Sequence, residues 1–517
     1  MTQSIPPAAN NYLLFSDVHL GADLVQHTRP WTASRLSEAH RIDHDLGAML
    51  DHYREQADPE RPWRLIIAGD FVDLVGMSIS ASESAALRSP LTQDEVAHGL
   101  GSAEDRAAFK MRAVAQRHDK LFRRLACFVK AGHSLVFVRG NHDVELYWES
   151  AQRAFIDALI DRADLSPQGL DRKLFESRIE FRHWFYYLRG FLYVEHGHQY
   201  DATCAYHHWL APRDPRDPSS IHYSFSDILV RYVVRPTREL STDGHENKSI
   251  FDYLRLGFSM GVRGCAMLGY RFFSAVGRMV ATWRNHVTEH TAHIRAEQEH
   301  RMQQIASVFR LNIDSLRALS KLWAIPVTGT LYAIFRSVFL DGLAAALISG
   351  AIITTLGAFN VLPLAWLPVI MAAVMLGIFI YMKSCRVLEP VAALRRGADK
   401  LADLMPARYV VMGHTHKPVM EPLGAQSTYV NLGNWTADLS DDHAPPAPCT
   451  HLVIRHSPSG KPEAALCTWD MALGVRVLIT DAPALAPRPV AARDSGQPAD
   501  APSPVAARSA VVLPPSV

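Results

Sequence analysis

The sequence predicts an α/β fold carrying a long helical insertion, and three observations carry that expectation. Short apolar runs of strand length recur near residues 12–16, 64–68, 134–139, 191–195 and 410–412, and each delivers Asp, Asn or His just past its end. Between them lie stretches with apolar residues at helical spacing, such as Leu36, Ile42, Leu46 and Leu50 within 34–56. In addition, 217 residues separate His196 from His414, far more than a loop requires.

Composition narrows the class. The chain has 517 residues, 48% of them hydrophobic, enough for a core and two or three structural regions. Its formal net charge of +1 gives no global argument for a nucleic-acid partner. The six cysteines are scattered without a C-x-x-C pair, which suits a reducing compartment and argues against a thiolate zinc site. Residues 1–11 are polar, contain two prolines and lack the apolar core of a signal peptide, so a flexible N-terminus is expected.

Each strand exit presents possible ligands. The first run, Tyr12 to Ser16, leads to Asp17 and His19, which an extended exit would turn toward one ion. The bland alternative makes Asp17 a helix cap and His19 a surface residue. The second run, Arg64 to Ala68, leads to Gly69-Asp70-Phe71-Val72-Asp73, where Gly69 permits close backbone approach. Residues 77–108, rich in Ser and Ala, read as a surface excursion, and helical spacing resumes from Phe109 to Ala131. The third run, Ser134 to Arg139, leads to Gly140-Asn141-His142-Asp143. There Asn141 offers a neutral oxygen ligand, His142 a proton donor and Asp143 a carboxylate to orient His142. A turn would explain Gly140 and Asn141 but not the His-Asp that follows. The fourth run, Phe191 to Glu195, ends at His196-Gly197-His198; His196, nearer the strand, is the candidate ligand, and His198 a supporting or exposed residue. The last run ends Gly413-His414-Thr415-His416, whose two imidazoles would share a face in an extended segment.

The insertion has its own pattern. Residues 202–249 are rich in His, Tyr and Arg, and His207, His208, His222 and His245 are expected to be solvated loop residues. From Tyr253 to Thr288 there is no acidic residue, but five arginines punctuate an apolar background. That stretch suits either an anionic membrane surface or a helix pair packed on the catalytic region. Residues 288–322 read as a polar helix. Gly342 to Met382 then runs 41 residues without Asp, Glu, Lys or Arg, where one bilayer crossing takes about 20 residues. With a turn at Asn360-Val361-Leu362-Pro363 this predicts a two-helix transmembrane hairpin, a buried hairpin in a soluble protein being the alternative. Lys321 and Arg336 on one flank, and Lys383, Arg386, Arg395 and Arg396 on the other, place both flanks in the cytoplasm.

After Met405-Pro406 the chain returns to the catalytic region. Tyr429 to Trp435 and Leu452 to Arg455 are expected at the edge of a second sheet. The resulting organisation is 1–11 flexible N-terminus, 12–201 first part of the ligand-bearing domain, 202–320 helical basic and aromatic insertion, 321–386 transmembrane hairpin region, 387–480 return helix and second part of that domain, and 481–517 disordered Pro/Ala-rich tail.

The five exits offer carboxylates, imidazoles and one amide, a set suited to Mn, Fe, Zn or Mg, and a bridging carboxylate suits two ions. The ordered series D-x-H, G-D-x-x-D, G-N-H-D, H and G-H-x-H resembles the calcineurin-like metallophosphoesterase superfamily, over residues 12–201 and about 407–470. The resemblance implies a layered α/β/β/α sandwich with two divalent cations, manganese foremost, at the strand ends. It implies that Asp17, His19 and His416 hold one ion, that Asn141, His196 and His414 hold the other, and that Asp70 bridges them. It implies that His142, backed by Asp143, faces the substrate phosphate and leaving oxygen while a metal-activated hydroxide attacks phosphorus. Within the superfamily the chain looks like the UDP-2,3-diacylglucosamine pyrophosphatases, through Phe15-Ser16-Asp17-Val18-His19-Leu20, Gly413-His414-Thr415-His416-Lys417-Pro418 and Asn431-Leu432-Gly433-Asn434-Trp435. Those enzymes carry G-N-R-D and H-G-D where this chain has G-N-H-D and H-G-H, and they lack so long an insertion. The expectation is therefore a phosphoric ester or anhydride hydrolase on the cytoplasmic face of a bacterial-type inner membrane, acting on a lipid-linked phosphate compound. The alternatives are a nuclease, phosphodiesterase or phosphomonoesterase with a soluble substrate, and a non-catalytic membrane-anchored scaffold or sensor.

Overall fold

The computed structural model describes residues 10–24, 30–79, 87, 89–165, 170–237, 259–287, 291–338, 340–359, 361, 363–384, 389–436, 448–457 and 461–481. All of the expected C-terminal tail except Asp481, nearly all of the expected flexible N-terminus, His245, and Asn360 and Leu362 of the expected turn lie outside the described residues.

Two sheets form the centre. The first contains β1 (Asn11–Phe15), β2 (Trp63–Ala68), β3 (Ser134–Val138), β4 (Ile179–Arg182), β10 (Thr450–His456), β11 (Pro462–Asp470) and β12 (Gly474–Thr480), in the order β12-β11-β10-β1-β2-β3-β4. Strands β1 to β4 are mutually parallel, and β10, β11 and β12 extend the sheet antiparallel from β1. The second contains β5 (Phe185–Leu188), β6 (Leu192–Glu195), β7 (Tyr409–Met412), β8 (Val419–Leu423) and β9 (Ser427–Asn431), in the order β5-β6-β7-β9-β8. Its three central strands are parallel, with an antiparallel strand on each edge.

Continuous apolar runs are what strands covered on both faces require. Alternate residues of β1 divide accordingly: Tyr12 and Leu14 face the second sheet, packing with Val194, Val411 and Val430. Leu13 and Phe15 face the helices α1 (Pro30–Glu55), α3 (Glu104–Arg117), α4 (Asp119–Lys130) and α5 (Glu149–Ala163). Helix α2 (Gln93–His98) begins at a capping box in which Thr92 and Glu95 exchange side-chain and backbone hydrogen bonds. Helix α6 (Leu170–Glu176) precedes β4.

The remaining helices are α7 (Phe225–Leu229), α8 (Gly261–Val287), α9 (Ala292–Phe309), α10 (Ile313–Ser320), α11 (Leu331–Ser337), α12 (Leu340–Ala358), α13 (Leu367–Ser384) and α14 (Pro390–Leu404). Leu394 and Leu401 of α14, with Met302 of α9 and Leu316 of α10, cover the outer face of the second sheet. The cross-section is thus helix, sheet, sheet, helix.

Several expectations change in detail. Residues 109–131 are not one helix, because the chain breaks at His118. Its buried ring bridges Asp43 Oδ1 at 2.7 Å and the Gly21 amide at 3.1 Å, holding the backbone outside the helical range. Strand β10 is not at the edge of the second sheet; it lies inside the first, between β1 and β11. Strand β9 is likewise interior, between β7 and β8. The expected polar helix at 288–322 divides into α9 and α10, the first ending at Arg310 in a left-handed conformation. His222 is buried and His207 bonds Thr328, so neither is a solvated loop residue.

Helix α12 is long and apolar enough to cross a membrane, and only 17% of that span is buried. The apolar part of α13, Leu367–Tyr381, is shorter, and the two helices pack together where Gly357 meets Leu367. Apolar side chains stand exposed on both, among them Leu347 and Ile352 on α12 and Leu376 and Ile380 on α13. Among the described residues α12 packs mainly on α13 and α11.

Candidate metal centre

The candidate ligands sit where strands β1, β2, β3, β6 and β7 end, so the parallel parts of both sheets deliver them to one edge. The backbone there is strained. Among the described residues eight non-glycine positions have positive φ, and five are Asp17 (55°), His19 (51°), Asp70 (53°), His414 (71°) and His416 (58°). Such conformations cost on the order of 1–3 kcal/mol each and gather at functional sites. They also correct the expected extended exits: each ligand pair leaves its strand in a left-handed turn rather than as a straight run.

Two glycines make the close approach possible. Gly69 has φ 89°, and a Cβ on it would lie 2.5 Å from the His196 ring. A Cβ on Gly140 would lie 2.2 Å from Asp70 Oδ1. Both motifs need glycine because a neighbouring ligand fills the space a side chain would take.

The ligand atoms converge. Those of Asp17, His19 and His416 lie within 4.8 Å of one another, and so do those of Asp17, Asp70 and His196. A third group at the same spacing joins His19, Asp70 and His142. His416 Nε2 is 3.2 Å from Asp17 Oδ1, and His196 Nε2 is 3.0 Å from Asp70 Oδ2 and 3.1 Å from Asn141 Oδ1. His196 Nδ1 lies 2.9 Å from the Ala68 carbonyl, which as acceptor of a ring N–H leaves Nε2 the free lone pair for a ligand role. His414 comes within 5.4 Å of His196, ring to ring, and its amide donates to Asp17 Oδ2 at 3.1 Å.

These residues fit divalent cations. His19 Nε2 is buried and has no hydrogen-bond partner, a costly state that a cation would relieve. Burial pushes the Asp70 carboxyl up, but His196 and His142 outweigh it and hold it well below the usual range. Burial likewise opposes charge on His196, yet the Asp70 carboxylate holds its pKa at about 9. A pocket whose anions sustain protons on imidazole is one that demands positive charge, which a metal ion would supply in their place.

His142 is held differently from the sequence-based expectation. Its Nδ1 lies 2.7 Å from Asp73 Oδ1, not against Asp143. Burial would raise Asp73, but the His142 imidazole lowers its pKa to about 2 and keeps it a carboxylate. Asp143 instead accepts the Gly140 amide at 2.6 Å and the Phe71 amide at 3.0 Å, tying two ligand loops together. Burial and the neighbouring Asp70 push its pKa up to about 7. Sequence neighbours at the start of a 3₁₀ turn diverge, so adjacency made Asp143 the wrong partner. The second aspartate of G-D-x-x-D was the available signal for Asp73.

Two further residues enter the site. Asp201 Oδ2 lies 3.2 Å from His414 Nε2, and Cys204 joins both within 4.8 Å, although the scattered cysteines had argued against a thiol there. His198 is not exposed. It is buried with neither ring nitrogen hydrogen-bonded, edge-on against Trp209 at 4.1 Å. Burial, then the imidazoles of His196 and His414, hold its pKa well below the usual value.

The geometry therefore brings all nine sequence-predicted residues to one edge of the paired sheets and supplies clusters that could hold metal ions. Comparison of the chain with protein-family models and with curated proteins finds no match.

Proposed function

We propose that this chain is a two-metal hydrolase of phosphate esters or anhydrides, of the calcineurin-like metallophosphoesterase type, working beside a membrane. The observation that carries the reading is the concentration of left-handed backbone at Asp17, His19, Asp70, His414 and His416. A chain has little reason to strain five carboxylate and imidazole positions together unless their side chains serve one centre. Asp17, His19 and His416 would hold one cation, Asn141, His196 and His414 the other, with Asp70 between them. When bound, the cations supply Lewis-acid polarisation of phosphoryl oxygens and acidify the attacking water.

The chain's own residues do the rest. Asp73 fixes the ring of His142, whose side chain is 13% exposed, enough to meet a substrate at the mouth of the site. His142 then gives its proton to the departing oxygen while anionic Asp73 balances the imidazolium. Asp143 keeps the Asp70 and Asn141 loops in register through the Phe71 and Gly140 amides. No serine or cysteine nucleophile is required.

The membrane part of the reading rests on α12 and on its link to the site. The Ala324 amide donates to the Gln199 carbonyl at 2.7 Å, and the Val327 amide to the Ala202 carbonyl at 2.9 Å. The segment leading into α11 and α12 is thereby bonded to the loop that carries His198 and Asp201. We read α12 and α13 as inserting together as a hairpin, with both basic flanks and the catalytic centre on the cytoplasmic face of a bacterial-type inner membrane. That arrangement favours a lipid-linked substrate such as UDP-2,3-diacylglucosamine over a soluble one. The test is a panel of UDP-2,3-diacylglucosamine, simple phosphomonoesters and phosphodiesters offered to Mn²⁺-loaded protein beside Asp70→Asn. Turnover by the wild type alone supports the hydrolase. Turnover of none, or identical behaviour of the two, overturns it, and the preferred substrate decides the lipid-linked part.

A further inference from the structure

Helix α8 turns the wrong side to solvent for a soluble protein. Leu268, Val276 and Met279 pack inward against Phe225 and Tyr232. On the opposite side Met267, Tyr270 and Phe273, at helical spacing, are 40, 76 and 59% exposed. The same stripe continues through small residues and carries exposed arginines, Arg263 and Arg284, toward its two ends. A surface helix ordinarily buries its apolar face and presents charge; here apolar side chains occupy both faces, and no acidic residue occurs between Tyr253 and Thr288. Beside α8 packs α11, where Tyr332 is 64% exposed, and α11 runs almost directly into α12.

We infer that the outer face of α8, together with α11, lies in the headgroup region of an anionic bilayer, an inference that rests on the membrane reading of α12 given above. Two observations select this occupant over a second copy of the chain. The face is continuous, through α11, with the helix long and apolar enough to enter the bilayer. Among the described residues its outer stripe carries only arginines, Arg263 and Arg284, the one carboxylate beside the helix, Asp94, being paired with Arg278 at 2.9 Å on the flank; that charge suits lipid phosphates and would repel an identical stripe turned against it. Tyr270 and Phe273 reach the acyl boundary, as interfacial aromatic residues do, while Arg263 and Arg284 pair with phosphates. The shelf then holds the catalytic centre at a fixed height, because Val327, in the segment leading into α11, donates its amide to the Ala202 carbonyl.

The test uses the full chain in lipid nanodiscs, with Cys127, Cys265 and Cys385 replaced by serine and one nitroxide introduced at a time. Labels at Tyr270→Cys, at Leu347→Cys on α12 and at Arg123→Cys on the far catalytic surface are compared for accessibility to oxygen and to an aqueous nickel chelate. The inference predicts a severalfold preference for oxygen at 270 in discs containing phosphatidylglycerol. It also predicts a weaker preference in phosphatidylcholine alone, and loss of that lipid dependence when Arg263 and Arg284 are both changed to Gln. Position 347 should favour oxygen in both lipids, and position 123 should favour nickel. Nickel access at 270 with oxygen preference at 347 overturns the shelf and leaves the anchor standing. Nickel access at both positions overturns the anchor as well. Protection from both reagents at 270, with spin–spin broadening, overturns the lipid occupant in favour of a second copy.

Discussion

Replacing Asp73 by Asn is the most informative change at the site, because it separates Asp73 from Asp143 as the partner of His142. The carboxylate is 3% exposed and sits 2.7 Å from the ring nitrogen. Asparagine preserves the shape and can still accept the Gly76 amide, now at 2.6 Å, but it removes the charge that balances an imidazolium. A charge-assisted hydrogen bond contributes about 1.5–3 kcal/mol, which corresponds to a loss of roughly 10- to 150-fold in kcat. His142→Ala should remove the proton donor outright, a loss of about 10²- to 10⁴-fold. Because Asp73 acts only through His142, the double variant should be no slower than His142→Ala alone. Initial rates on Mn²⁺-loaded protein would be read with bis(p-nitrophenyl) phosphate and with a phosphodiester whose alkoxide leaves poorly. p-Nitrophenolate departs without a proton, so the losses should be smaller on the first substrate. Losses that multiply in the double variant, or an Asp143→Asn effect that disappears in the His142→Ala background while that of Asp73→Asn persists, would refute the assignment.

Gly140→Ala would drive a Cβ to 2.2 Å from Asp70 Oδ1 and 2.6 Å from its backbone nitrogen, so activity and bound manganese should fall together, measured by turnover and elemental analysis. Lys110→Met would strand Glu145, whose carboxylate meets the Lys110 ammonium at 2.5 Å with both side chains at most 2% exposed. The cost should be about 3 kcal/mol, seen as a lower denaturation midpoint. Burial holds His451 and His207 down at about 3, below the ordinary imidazole value they regain on unfolding. The unfolded chain therefore binds more protons in acid. The contribution of these two histidines should be full above pH 6.5 and decline as pH falls toward 3, by about 2 kcal/mol at pH 5 for a fully buried His451. Chemical denaturation across that range checks it, and a midpoint independent of pH would contradict the buried neutral state.

The positions of the candidate ligands at the strand ends were legible in the sequence because the information is local. An apolar run buried on both faces needs no alternation, and a polar residue straight after it must sit at the strand end, as Asp17, Asp70, Asn141, His196 and His414 do. What failed was information carried between distant segments. The pairing of β10 with β1 depends on registers such as Tyr12 with Ile454, which no window of sequence contains. The choice of Asp73 over Asp143 depends on how β2 and β3 present neighbouring loops. Asp201 was unreadable because it lies beyond the strand exit, in a loop positioned by segment 324–327. The outward face of α8 was legible as composition, an acid-free stretch with arginines, but only packing against Phe225 and Tyr232 tells which side faces out.

The proposed chemistry requires these five strand exits to hold a pair of cations with Asp70 between them. Electron paramagnetic resonance of the full chain titrated with Mn²⁺ tests it most directly. A paired site should give an exchange-coupled signal that grows to two equivalents and collapses in Asp70→Asn to an uncoupled six-line spectrum. Uncoupled manganese at every loading of the wild type, or a coupled signal unchanged by Asp70→Asn, would contradict it.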